Sequence, residues 1–186
     1  KILPVVIAVV LMVLIIVGAV GVKLYEKYSY SKETMDLSRY YGIEKEGQVP
    51  IILADVVAEE KAANIDGNDY LPLSFVQEQL NSRFYYDMNE KLLLYTTALD
   101  LYEIPLDSTT YTVSGEAADH TCPIFVLQDE VPYVSLSFME NFSNFICNVY
   151  EAPHRLQIYT ENVTHQTAVI QKATAVRYQG GIKSDI

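Results

Sequence analysis

Between Ile2 and Val22 the chain carries 21 consecutive residues without a charge, a side-chain amide or a hydroxyl. Lys1 precedes this run, and Lys23 and Lys27 follow it. A helix of that length reaches about 31 Å, the thickness of a bilayer's hydrocarbon core. No polar stripe interrupts the run, so it lacks the wet face of a helix packed on a water-soluble core. Two readings remain, a retained transmembrane anchor over residues 1–23 and a cleaved secretory signal. The apolar part of a signal spans about 7–15 residues and ends in small residues. Ala19-Val20-Gly21 has that small-residue character, but the run is longer. Length favours the anchor, with a lipid bilayer as the partner of residues 2–22. Gly18 and Gly21 lie three apart, not the four of a helix-pairing motif. The chain opens at Lys1 without a Met, and an upstream cytoplasmic segment is the expectation.

About 160 residues follow, enough for one medium domain or two small ones. The net charge is −11, and of the 24 acidic residues only Glu26 lies within the first 32. The remainder therefore repels phosphate backbones and anionic lipid heads, which argues against a nucleic-acid partner. Cys122 and Cys147 are the only cysteines, too far apart for a C-x-x-C redox or zinc pair. A single disulfide between them is one reading. The other is a free core thiol, since Cys147 sits in the apolar run Phe145-Ile146-Cys147.

The sequence also repeats itself. Tyr70, Leu73, Ser74 and Phe75 recur 63 residues later as Tyr133, Leu136, Ser137 and Phe138. Leu92, Leu94, Tyr95 and Thr96 recur 64 residues later as Leu156, Ile158, Tyr159 and Thr160. Each copy reads as a strand pair, a short helix and a hairpin. In the first, Ile51–Leu53 is a strand, Asp66-Gly67 a tight turn, Ser74 a helix N-cap, and Phe84–Asp87 and Leu92–Tyr95 a hairpin. In the second, Ile124–Leu127 and Val131–Val134 flank an Asp129-Glu130 turn, a helix follows near Leu136–Phe142, and Ile146–Tyr150 and Leu156–Tyr159 form a hairpin turned at Pro153. Short strands give each copy little core, so two copies are expected to bury one apolar face against each other. Leu101–Ser114 reads as extended, and Thr167–Tyr178 alternates again.

The expected fold is therefore α+β: a transmembrane helix, then two repeated units of short antiparallel strands with one short helix each. Its segments are an anchor (1–23), a juxtamembrane stalk and linker (24–48), repeat one (49–100), a linker strand with repeat two (101–165) and the start of a further linker (166–186). Residues 25–41 are expected to continue the anchor as a helical stalk.

Ile65-Asp66-Gly67, then Tyr70-Leu71-Pro72-Leu73, a short helix and an aromatic hairpin resemble the copper amine oxidase N-terminal-like domain, over about residues 49–160. That module is often duplicated on bacterial cell-surface proteins. Ser74 stands where many members have Arg, Tyr86 where many have Trp, and Ser135 where the second copy would have Pro. The whole layout, closing on Val176-Arg-Tyr-Gln-Gly-Gly-Ile-Lys-Ser184, resembles the N-terminal region of membrane-anchored family 18 glycoside hydrolases of Gram-positive gut bacteria. The resemblance implies an outward-facing ectodomain and a catalytic barrel downstream. The Asp-x-x-Asp-x-Asp-x-Glu signature of that family does not occur in this sequence. No copper is implied, because the oxidase's metal ligands belong to another domain.

The residues themselves carry no catalytic, cofactor or metal motif. His120, His154 and His165 fall in three separate loops, without metal spacing. Asp66, Asp69, Asp87 and Asp129 fall at predicted turns, where Asp serves the backbone. The 15 tyrosines suit half-buried strands. Tyr85 and Tyr86 point to opposite faces of one strand, so one is expected to be exposed, where it could stack on a sugar ring. The sequons at Asn141 and Asn162 matter only in a eukaryotic secretory route. Two functional readings follow. One is a non-catalytic, membrane-anchored extracytoplasmic spacer that presents a downstream glycosidase. The other is a carbohydrate- or peptidoglycan-binding module with cell-wall glycan as its partner.

Overall fold

The computed structural model describes residues 2–160, 169, 171–172, 175–179, 183–184 and 186. His165, Asn162 and five residues of the Thr167–Tyr178 alternation (Thr167, Ala168, Ile170, Ala173 and Thr174) lie outside them. The chain is α+β, an N-terminal apolar helix followed by two sheets of mostly antiparallel strands. It divides into two units, Lys1–Asp36 with Thr167–Ile186, and Leu37–Gln166.

In the first unit, α1 (Leu3–Tyr28) is 26 residues long, opens with Pro4 in its first turn and carries Lys27 in its last. Within it Val6–Tyr28 is long and apolar enough to cross a membrane, and none of the span is buried by protein. The expected helical stalk breaks at Ser29, whose backbone is extended (φ −70°, ψ 147°). Serines there compete for backbone partners: Ser29 Oγ donates to the Glu26 carbonyl, and Ser31 Oγ accepts from the Glu33 N–H. Met35 N–H donates to the Ile186 carbonyl (2.8 Å), and the Arg177 guanidinium lies 5.5 Å over the Tyr30 ring.

The second unit starts with α2 (Leu37–Tyr41) and holds both repeats. Copy one supplies β1 (Gln48–Leu53), β2 (Val56–Ile65), β3 (Asn68–Pro72), α3 (Leu73–Phe75) running into a π-helical turn at Val76–Leu80, β4 (Phe84–Asp87) and β5 (Leu92–Thr96). The stretch read as extended forms β6 (Leu101–Pro105) and β7 (Thr110–Val113), and an unforeseen β8 (Glu116–Asp119) follows. Copy two supplies β9 (Phe125–Gln128), β10 (Val131–Ser135), α4 (Leu136–Met139), β11 (Ile146–Tyr150) and β12 (Arg155–Tyr159).

The copies join through their equivalent strands. β3 and β10 pair antiparallel with Leu71 opposite Val134, Tyr70 opposite Ser135 and Pro72 opposite Tyr133. The 63-residue offset maps Leu71 onto Val134 and exchanges the other two pairs. A local pseudo-two-fold axis therefore passes between Leu71 and Val134, both 0 % exposed. This is the self-complementary pairing of a symmetric dimer, made within one chain.

The symmetry fails farther out. The seven-stranded sheet runs β11-β12-β1-β2-β3-β10-β9, and the five-stranded sheet runs β4-β5-β6-β7-β8. The hairpin of copy one thus enters one sheet and the hairpin of copy two the other, where β12 pairs parallel with β1. The ten-residue β2 is matched in copy two by two short strands, β8 and β9, separated by His120–Ile124. Pro123 in that gap has no N–H for a ladder, and the chain changes sheet there. The copies consequently share one core instead of pressing two finished faces together. Leu71, Phe75 and Leu93 of copy one and Val134, Phe138 and Leu156 of copy two belong to the same buried cluster.

Ser74 is not the N-cap. α3 begins at Leu73 directly off β3, its cap is Pro72 without a side-chain bond, and the Ser74 hydroxyl donates to Glu60 instead. The turn reading holds: Asp66 and Gly67 both have positive φ (50° and 82°), as do Asp129 and Glu130 (51° and 65°). Glu130 therefore holds a left-handed conformation that its repeat counterpart assigns to glycine. Glu130→Gly should stabilise the chain by about 0.5–1 kcal/mol, and Gly67→Glu should destabilise it by at least as much, as read from urea denaturation midpoints. A Cβ at Gly67 meets nothing within 4 Å, so backbone strain alone sets that cost.

Candidate functional site

Four tyrosines of the five-stranded sheet, Tyr86, Tyr95, Tyr102 and Tyr111, are packing side chains. Side chains on one face of the five-stranded sheet form an aromatic layer with copy two: Phe84 stacks on Tyr95 (4.5 Å), Tyr95 and Tyr102 meet the edge of Phe142 (5.1 and 4.9 Å), and Tyr111 meets Phe138 (5.4 Å). Tyr86 belongs to this side and tilts against Phe125 (4.9 Å). Tyr85 points the other way and is 62 % exposed. The register places Leu94, Glu103 and Thr112 beside it in one row across the outer face. Thr112 Oγ1 donates to Glu103 Oε2 (3.0 Å) within that row.

Cys122 and Cys147 are both free thiols, so the disulfide reading gives way to the core-thiol reading. Cys122 is buried beside the Ser135 hydroxyl (3.4 Å). Burial pushes the Cys147 thiol up to about 12, with Glu140 and Asp69 adding to the shift. A thiol so protonated is a poor nucleophile and metal ligand.

Two polar constellations escaped the sequence reading. In the first, His120 Nε2 lies 2.9 Å from Ser137 Oγ, which lies 2.8 Å from Ser135 Oγ. Burial lowers the His120 pKa, so its ring is neutral and able to accept the Ser137 proton. Nucleophilic catalysis also needs a group that orients the base and donors for an oxyanion. Among the described residues His120 has no hydrogen-bonded carboxylate, and its contact with Ser137 ties the β8–β9 connection to α4. Among the described residues no group of three His, Cys, Asp or Glu could hold a metal ion.

The second constellation is a clasp. Asp69 lies in β3, not at a turn, and accepts from Asn64 Nδ2 (2.8 Å). His154 Nε2 stands 2.9 Å from Asp69 Oδ1, and its Nδ1 stands 3.0 Å from Glu151 Oε1. Carboxylates only accept, so protonated His154 donates to both partners as an imidazolium. Burial opposes that charge, but the bonds to Asp69 and Glu151 prevail and the His154 pKa is raised. The other aspartates behave as read: Asp87 Oδ1 accepts from the N–H groups of Asn89 and Glu90, and Asp66 and Asp129 hold turns. Eighty-five residues separate Asp69 from His154, so no local pattern could reveal the clasp.

The two histidines act oppositely with pH. A raised folded pKa gives His154 a stabilising share that is full below about 6.5, its unfolded value, and is lost as pH rises through the folded value. The lowered pKa of His120 gives a share present above about 6.5 and lost as pH falls through the folded value. His154→Gln should therefore lower Tm most near pH 5–6, with the loss shrinking toward pH 9. The difference between wild-type and variant melts across that range checks it.

A cleft of about 310 Å³ is lined by Asp66, Tyr70, Asp107, Pro123 and Gln128, among others, and the Tyr70 hydroxyl donates to the Pro123 carbonyl (2.9 Å). No family model, no curated protein and no solved structure matches this chain.

Proposed function

We propose that the chain is a non-catalytic, membrane-anchored spacer whose folded unit stands in the extracytoplasmic medium. The observation that carries this reading is the 23-residue helical span Val6–Tyr28, long and apolar enough to cross a membrane and with no protein packed over it, joined to a folded unit with its own core. An apolar surface of that size needs lipid to cover it. The acidity of the remainder suits a unit that stands off anionic headgroups. The outward orientation, and the role of presenting a family 18 glycosidase, rest on the resemblance of the repeat and layout. Protease shaving of intact cells tests the orientation: loss of the folded unit with survival of the apolar helix is expected, and a fully protected chain would refute it.

Glycan binding is the second reading, favoured by Tyr85 on the outer sheet face. A ring open on one side, beside Glu103 and Thr112, offers a sugar a stacking surface and polar partners. Retention of the chain on purified cell wall, lost in Tyr85→Ala, would support it. Retention no greater than that of an unrelated acidic protein would remove it.

A further inference from the structure

Among the described residues four strands lie at sheet edges: β11 and β9 in the larger sheet, β4 and β8 in the smaller. An edge offers unpaired N–H and C=O groups to any passing strand, and proteins block it with charges, proline, bulges, short strands or a covering loop. Three of the four edges are blocked. β9 is covered by the connection between β6 and β7, where Asp107 N–H donates to the Phe125 carbonyl (2.8 Å) and the Ser108 carbonyl accepts from Ile124 N–H (3.1 Å). β8 carries Glu116 and Asp119 within four residues. β4 has four residues, ends on Asp87, and its Phe84 carbonyl accepts from Gln77 Nε2 (2.8 Å).

Among the described residues β11 carries no charge, proline, bulge or covering loop. Its sequence, Ile-Cys-Asn-Val-Tyr, holds no charge and no proline, and all five residues pair with β12 without a bulge. Ile146, Val149 and Tyr150 are 51 %, 50 % and 42 % exposed.

We propose that β11 is a self-pairing edge, on which a second copy of this chain adds its own β11 antiparallel about a two-fold axis at Asn148. The strand is complementary to itself in that register. Ile146 meets Tyr150, Cys147 meets Val149, and Asn148 meets Asn148; just beyond, Glu151 meets Phe145. Aliphatic–aromatic cross-strand pairs are favourable, and no two like charges face each other in a chain of net charge −11. The chain already uses this geometry internally, where β3 and β10 pair about Leu71 and Val134. One strand pair buries less than the roughly 1,200 Å² of a stable interface, so the pairing is weak for dispersed molecules. Confinement of copies to a membrane plane raises their effective concentration and favours it.

Asn148→Cys in a Cys147→Ser background, in the full chain reconstituted in liposomes, tests the proposal. Directly opposed residues of an antiparallel pair have Cα atoms about 4.5–5.5 Å apart, within disulfide range. Mild oxidation should give a covalent dimer at least fivefold faster than Tyr85→Cys in the same background. Adding Ile146→Glu and Tyr150→Glu, at side chains exposed in the single copy, should abolish the dimer by setting like charges opposite each other. Ile146→Lys with Tyr150→Glu should restore it. Cross-linking no faster than at Tyr85, or indifferent to the Glu pair, overturns the proposal. So does protection of the Asn148→Cys thiol from alkylation without cross-linking, since a different chain would then occupy the strand.

Discussion

Leu73→Asp and Leu136→Asp should each abolish the cooperative unfolding transition of the folded unit Leu37–Gln166. The two leucines are repeat equivalents, 3 % and 7 % exposed, and each opens the helix that follows the paired strands β3 and β10. Removing a buried leucine costs about 2–5 kcal/mol. Burying an unpaired carboxylate adds several more, or forces the group to take up a proton. Typical domain stability is about 5–15 kcal/mol, so either change consumes most of it. Because both copies share one core, damage at one leucine is not contained within its copy. Near-ultraviolet circular dichroism of the detergent-solubilised chain reads the loss, since the tyrosine-rich layer dominates that signal while α1 contributes to the far ultraviolet. Tyr85→Asp, at an exposed position, should melt like wild type. A sigmoidal melt within a few degrees of wild type for either leucine variant would count against the shared core.

Leu11→Arg together with Ile15→Arg should release the chain from membranes while leaving the folded unit intact. Both side chains lie near the middle of α1, 54 % and 71 % exposed, with no protein covering them. Each Arg at a helix centre costs about 2.5–3.5 kcal/mol of insertion, enough in combination to reverse the partition of a single span. α1 and the sheets belong to different units, so the near-ultraviolet melt of the variant should match that of wild type. Retention of the double-Arg chain in the pellet after alkaline extraction would refute membrane residence through this helix.

The features legible in the sequence are those fixed by neighbours along the chain. The Asp66-Gly67 and Asp129-Glu130 turns need left-handed backbone, and Asp and Gly announce it. The alternation of Phe84–Asp87 and Leu92–Tyr95 gives a hairpin with Phe84 and Tyr95 inward and Tyr85 outward. The repeat exposes two copies of one plan, but not which sheet each hairpin joins. That choice depends on β6 lying between β5 and β7 and on the parallel pairing of β12 with β1, both decided by distant packing. β8 was missed because Glu-Ala-Ala-Asp has neither strand propensity nor alternation, and ladder pairing with β7 makes it a strand. Ser74 looked like a cap because Ser before an apolar run favours one, yet β3 enters the helix without a loop and leaves no capping position there. The clasp between Asp69 and His154 and the link between His120 and Ser137 are products of tertiary folding alone.

The central claim is a partition between lipid and water. A nitroxide on Val13→Cys and another on Tyr85→Cys, each in the full chain in liposomes, measure it through collision rates with oxygen and with a water-soluble nickel chelate. The label at Val13 should collide with oxygen and not with the chelate, as at a bilayer centre, and the label at Tyr85 should show the reverse. Equal access of the chelate to both positions would contradict the account.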